Sequence, residues 1–135
     1  MALLITTAGQ NLLLQWALCS TSQPEDLTLH LYTNNYTPTA ADTTASYTEA
    51  TFTGYSAMPV ARATWGAPAT NSTGQGEADY PQQTWTVGSS QTIYGYWIQG
   101  VTSGTVVWAE AFATPRPLQS GDTFRLTPSF TLQSQ

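Results

Sequence analysis

Residues 27–32, LTLHLY, alternate strictly: Leu27, Leu29 and Leu31 point one way, and Thr28, His30 and Tyr32 the other. This is the two-residue period of a strand. Upstream the period changes. In TTAGQNLLLQWALCS, Leu12, Leu13, Trp16 and Ala17 form an i, i+1, i+4, i+5 stripe. That stripe predicts one helix over about 7–20, capped by Thr6 or Thr7 and ended by Pro24, with Gly9 weakening its first turn. Downstream, Asn34, Asn35, Pro38 and Asp42 mark a loop, and SYTEATFTGY regains strand character, with Gly54 at a bulge or corner. VARATW reads as a further strand. GAPATNSTGQGEAD is the longest stretch without a period and predicts a surface loop.

QTWTV, TIYGYWI and TVVWAEAF predict three strands, the last two joined by a turn at Gly100 and TSGT. On 92–98, Tyr94 and Tyr96 share a face with Thr92 and Ile98, leaving Ile93, Gly95 and Trp97 on the other; bulk on both faces predicts a central strand covered twice. On the next strand Val106 and Trp108 share the face of Glu110 and Phe112. Arg116, between Pro115 and Pro117, predicts an extended, rigid connector. In DTFRLTPSFTL, Phe124, Leu126, Pro128, Phe130 and Leu132 alternate with Thr123, Arg125, Thr127, Ser129 and Thr131, and Pro128 predicts an edge position or a break. Frequent turns between short strands predict a mainly β fold, an antiparallel β-sandwich or jelly-roll-like barrel with one N-terminal helix. The 135 residues make one domain, with strands from 27 to 132.

Composition narrows the function. Charged residues are 8% of the chain, against about 25% in an ordinary soluble domain. The three cations are Arg62, Arg116 and Arg125, and the net charge is −5. Binding to nucleic acid or to anionic lipid needs a basic footprint, so neither partner is expected. Neither ALLI nor the interrupted run LLLQWALC predicts a signal peptide or a membrane span, so synthesis in the cytoplasm of whatever cell makes the chain is expected. The lone cysteine, Cys19, excludes an internal disulfide framework and reads as a buried, inert thiol.

Candidate chemistry is sparse. His30 is the only histidine, lies mid-strand, and has no G-x-S-x-G elbow to serve. Glu77 and Asp79 would share a face if extended, as a glycosidase pair requires, but they belong to the predicted loop, where burial to raise a pKa is hard to arrange. The remaining acids are dispersed, so no metal or other cofactor is expected. That leaves the rings of 91–112. They pack as core, or they form an exposed carbohydrate platform; alternation alone does not separate the two, and core is the favoured reading.

The order of segments carries a resemblance: AGQNLLLQWAL, LTLHLYTNN, YTEATFTGY, a Trp-containing strand, ADYPQQTWTV, YGYWI, GTVVWAEAF and LQSGDTFRLTPSFTL. The chain resembles short virion structural proteins of tailed bacteriophages over nearly its whole length. The resemblance implies a virion component without enzymatic activity. Its first form is a capsid cement or decoration protein on the capsid surface, a homotrimer bound to the major capsid protein. Its alternative is a tail-tip or fibre-associated protein that binds a receptor or carbohydrate. Leu3, Leu4 and Ile5, Leu13 and Trp16 of the helix, Tyr36, Tyr80 and Trp97 are the candidate subunit or shell contacts. For the N-terminal segment and helix, closing an open end of the sandwich is an equal alternative. Loops 33–45 and 66–79 are partner contacts or solvent-facing tips.

Overall fold

The protein, described here from a computed structural model over residues 3–20 and 24–132, is mainly β with a single α-helix near its N-terminus. Strand β1 (Leu4–Ile5) leads into helix α1 (Thr7–Leu18). Then come β2 (Leu27–Tyr32), β3 (Met58–Val60), β4 (Ala69–Thr70), β5 (Gly76–Asp79) and β6 (Gln83–Thr86). The long strands β7 (Gln91–Gly100) and β8 (Val106–Leu118) precede β9 (Thr123–Leu126) and β10 (Ser129–Leu132).

The leucines of β2 set the main core. β2 pairs antiparallel with β7 and β3, and the five-stranded sheet runs in the order β1-β8-β7-β2-β3. Leu27, Leu29 and Leu31 pack on one face with Ile93, Ile98, Val107 and Trp108. Opposite them lie Trp85 of β6 and Phe124 of β9, with Phe130 of β10 and Leu12, Leu13 and Trp16 of α1 at the margin. The second layer is therefore two small sheets, β6-β9 and β10-β5-β4, and the helix. The sheets remain separate, which makes a sandwich rather than a closed barrel.

Thr6 seats the helix. Its hydroxyl accepts from Gly9 N–H at 2.9 Å and donates to the Val106 carbonyl, and its own N–H reaches Val107 O at 3.1 Å. Gly9 is required because the helix lies against β8: a Cβ there would stand 2.2 Å from Val107 O. The helix stops at Leu18, before Pro24. Cys19 turns extended there and lies exposed, not buried as expected, because the residues facing the sheet are Leu12, Leu13 and Trp16.

Several expected strands are built differently. Residues 47–55 form no strand beyond a bridge from Glu49 to Tyr32, because side chains take the donors a ladder would use. Gln91 Oε1 accepts from Thr51 and Phe52 N–H at 2.8 and 3.0 Å, and Ser89 Oγ accepts from Thr53 N–H at 2.8 Å. VARATW gives β3 only as far as Val60. A short helical turn, Arg62–Thr64, follows, with Arg62 N–H donating to Asp26 Oδ1 at 2.9 Å.

The supposed loop 66–79 is instead a hairpin. Asn71 Oδ1 accepts from Thr73 and Gln75 N–H, each at 3.0 Å, Gly74 takes φ +81°, and β5 pairs with both β4 and β10. Pro115–Pro117 is not a connector but part of β8, pairing with β7 at Ile93–Arg116 and Thr92–Pro117. Pro128 is the expected break: β9 before it pairs with β6, and β10 after it with β5.

Bulges alter the expected faces of the central strands. The β7–β8 register shifts between Ile93 and Gly95 and again between Ile98 and Gln99. Tyr96 consequently joins the main core with Ile93, while Tyr94 lies with Trp97 on the opposite face. Val106 is likewise separated from Trp108. An inserted residue resets the two-residue alternation, so every side chain beyond it changes face.

Candidate functional site

Of the rings singled out in the sequence, Tyr96 and Trp108 belong to the main core, whereas Trp97 and Tyr94 occupy the back of the five-stranded sheet, covered by the chain's own residues 33–50. Trp97 is sandwiched: His30 stacks on one side with centroids 4.7 Å apart and planes 9° apart, and Tyr47 on the other at 5.1 Å and 12°. Tyr32, Tyr36 and Tyr94 close the cluster. At its edge lies Asp42, 5% exposed. Its carboxylate accepts from Tyr36 OH (2.7 Å), Tyr47 OH (2.6 Å), Thr39 OH (2.6 Å) and Thr39 N–H (2.9 Å). Burial alone would raise this carboxyl, but the hydrogen bonds from Thr39, Tyr47 and Tyr36 outweigh it and hold the pKa below the usual carboxylate range. Burial, reinforced by the Asp42 charge, pushes the Tyr32 and Tyr47 phenols far up, so both stay protonated donors.

The other acids do similar structural work. Glu49 accepts from Tyr55 OH at 2.8 Å and contacts His30 Nδ1 at 2.7 Å. Glu110 accepts from Tyr96 OH at 2.8 Å, and Glu77 from Asn71 Nδ2 and Thr131 OH. Glu25 holds the N–H groups of Thr102 and Ser103, Asp26 that of Arg62, and Asp122 that of Gln119. The extended β5 does put Glu77 and Asp79 two residues apart, as a glycosidase pair would need, yet Glu77 is tied to its hairpin. Among the described residues no group of three or more His, Cys, Asp and Glu side chains is placed to hold a metal ion.

The candidate contact residues divide. Leu3, Ile5, Leu13 and Trp16 are partly buried against the main core, and Leu4 and Ile5 pair with Ala109 and Trp108 of β8. β1 thus extends one edge of the large sheet, and the helix packs against the main core. Trp97 and Tyr80 are 3% and 8% exposed and present little surface; Tyr80 OH reaches Pro59 O and Ala61 N–H instead. Tyr36 is half-buried in the Asp42 cluster. The exposed large apolar side chains are others: Leu14, Leu18, Val101 and Leu132. Leu14 and Leu18 were legible in principle, being one turn apart and off the buried stripe.

An open groove of about 560 Å³ runs between β8 and β9, lined by Phe112, Thr114 to Leu118, and Phe124 to Leu126. It contains Arg116 and Arg125, both exposed and, among the described residues, neither within ion-pair distance of an acid. Sequence reasoning missed this site because it weighed only the total number of cations, not their placement. A second groove, about 530 Å³, lies between Trp16, Glu25, Asp26 and Val101.

A family model described as podophage GP4 fiber I protein gp80 matches residues 4–133. The chain belongs to this family. No curated protein matches its sequence. Membership makes the chain a phage virion structural protein, as the segment order implied. The description of this fibre protein family fits the fibre-associated alternative better than the capsid-cement expectation, which gives way to the broader statement. Tyr96, Trp97 and Trp108 are all buried and form no exposed carbohydrate platform, which leaves Tyr94 and Phe112 half-buried among the rings of 91–112.

Proposed function

We propose that the chain is a non-enzymatic, fibre-associated component of the phage virion that acts through contacts with other virion subunits. The observation that carries this reading is the family match across residues 4–133. The chemistry supports it: every acidic side chain except Asp79 accepts a structural hydrogen bond within the fold. A general acid or base must be free to exchange its proton with a substrate, and these are committed elsewhere.

The surface suited to assembly is the outer side of α1, where Leu14 is 56% and Leu18 77% exposed, together with Val101 at 60% in the groove beside Trp16. Copies associate there as a homotrimer. Light scattering on purified protein tests the oligomer, and Leu14→Glu with Leu18→Glu should give monomers that keep the wild-type circular dichroism. Labelled antibody on intact particles tests location: decoration of the tail fibres supports the reading, and uniform decoration of the head refutes it.

A further inference from the structure

We propose that the groove between β8 and β9 binds a carboxylate-bearing polysaccharide, with Arg116 and Arg125 gripping its anionic groups. The chain has three cations against eight acids, and two of those cations line this one groove. The acids nearest in sequence are engaged elsewhere: Asp122 with Gln119 N–H at 2.8 Å and Glu110 with Tyr96 OH at 2.8 Å. Both guanidinium groups therefore keep their donor forks for a ligand, and the planar fork matches a carboxylate with two parallel hydrogen bonds. The lining is mixed: Phe112, Leu118 and Leu126 add apolar surface suited to the C–H faces of a sugar ring beside the polar anchors, a combination usual for small-ligand sites.

The strand edge selects against a peptide. β1 covers only Trp108 and Ala109 on the outer edge of β8. A proline fits a paired strand only where its nitrogen faces away from the partner. The Thr92–Pro117 pairing therefore turns the Pro117 nitrogen to that outer edge, and Pro115, in the bulged stretch beside it, has no N–H to donate either. An added peptide strand would find no ladder there, whereas sugar hydroxyls can donate to the remaining carbonyls. Nucleic acid is disfavoured by charge density: it carries a phosphate at every nucleotide, and a chain of net charge −5 offers it two arginines.

Calorimetry with purified protein and polygalacturonate tests the site. Binding is expected, with its methyl-esterified form and neutral dextran inert at the same concentration. Arg116→Gln and Arg125→Gln should each weaken binding about tenfold, the loss expected for one charged hydrogen-bonding group. The lysine variants at both positions should retain part of the affinity, and Arg62→Gln all of it. Thermal melts check that each variant is folded. No binding to polygalacturonate, equal binding of the ester, or equal weakening by Arg62→Gln would overturn the proposal. Tighter binding of poly-glutamate or of single-stranded DNA through the same arginines would replace the occupant and overturn it too. Particle location does not enter, so failure here leaves the fibre-associated reading standing.

Discussion

Replacing Asp42 by asparagine removes one charge while keeping the shape of the side chain, and the surrounding donors set what this costs. Thr39 N–H is a fixed donor to Oδ2, so the new amide must keep its oxygen on that side and turn its NH2 toward the Oδ1 side. There Tyr36 OH and Thr39 OH, which now donate, must rotate to accept. Hydrogen bonds to a charged group are worth about 1.5–3 kcal/mol each and neutral ones about 1, so losing charge assistance in this network should cost about 2 kcal/mol. Asp42→Ala leaves the buried Tyr47 hydroxyl and Thr39 N–H unpaired and should cost about 4 kcal/mol. Urea unfolding followed by tryptophan fluorescence measures both, since Trp97 stacks on Tyr47. The sign of the pH dependence follows from the depressed folded pKa. The stabilisation is complete above the unfolded value of about 3.9 and is lost as pH falls through the lower folded value. The gap between wild type and Asp42→Asn should therefore hold at pH 7 and close under acid. An Asn variant as stable as wild type at pH 7, or a gap unchanged at low pH, would refute the reasoning.

Other expectations follow from close approaches and buried phenols. Gly95→Ala places a methyl 2.2 Å from Glu110 O and 2.5 Å from the Tyr32 hydroxyl, and should cost about 3 kcal/mol in urea unfolding. Gly9→Ala improves helix propensity by about 1 kcal/mol, but the clash with the Val107 backbone should reverse the sign, seen as a lowered melting temperature. Burial and neighbouring carboxylates push the Tyr32, Tyr47, Tyr55 and Tyr96 phenols well above their unfolded value of about 10. The fold is thus fully supported below that pH and loses stability above it. Alkaline titration should show these phenolates appearing together with loss of near-ultraviolet circular dichroism, not before it.

Periodicity was informative where one rule governed a segment. The alternation of 27–32 predicted the buried leucines, the helical stripe placed Leu12, Leu13 and Trp16 against the core but wrongly included the exposed Ala17, and Pro128 marked a real switch of sheets. It failed where a second rule intervened. The bulges at Ile93/Gly95 and Ile98/Gln99 reset the faces of the very strands whose rings invited a functional reading, and nothing in VVWAEAFATPRPL marks where β8 takes its extra residues. Residues 47–55 have strand composition but spend their donors on Gln91 and Ser89, some 40 residues away in the case of Gln91. The two-arginine groove depends on β8 and β9 converging, a tertiary fact. Asp42 carried a local hint, Thr39 three positions before it, but the phenols completing its shell are brought in by the fold.

The segment 33–50 wraps the back of the large sheet with its own tyrosines, so neither broad surface waits for a neighbour to cover it. Such a body can finish folding before it meets the particle. Its attachment then becomes a docking of preformed parts, adjustable in strength by a few surface leucines, and copies could be lost or exchanged without unravelling.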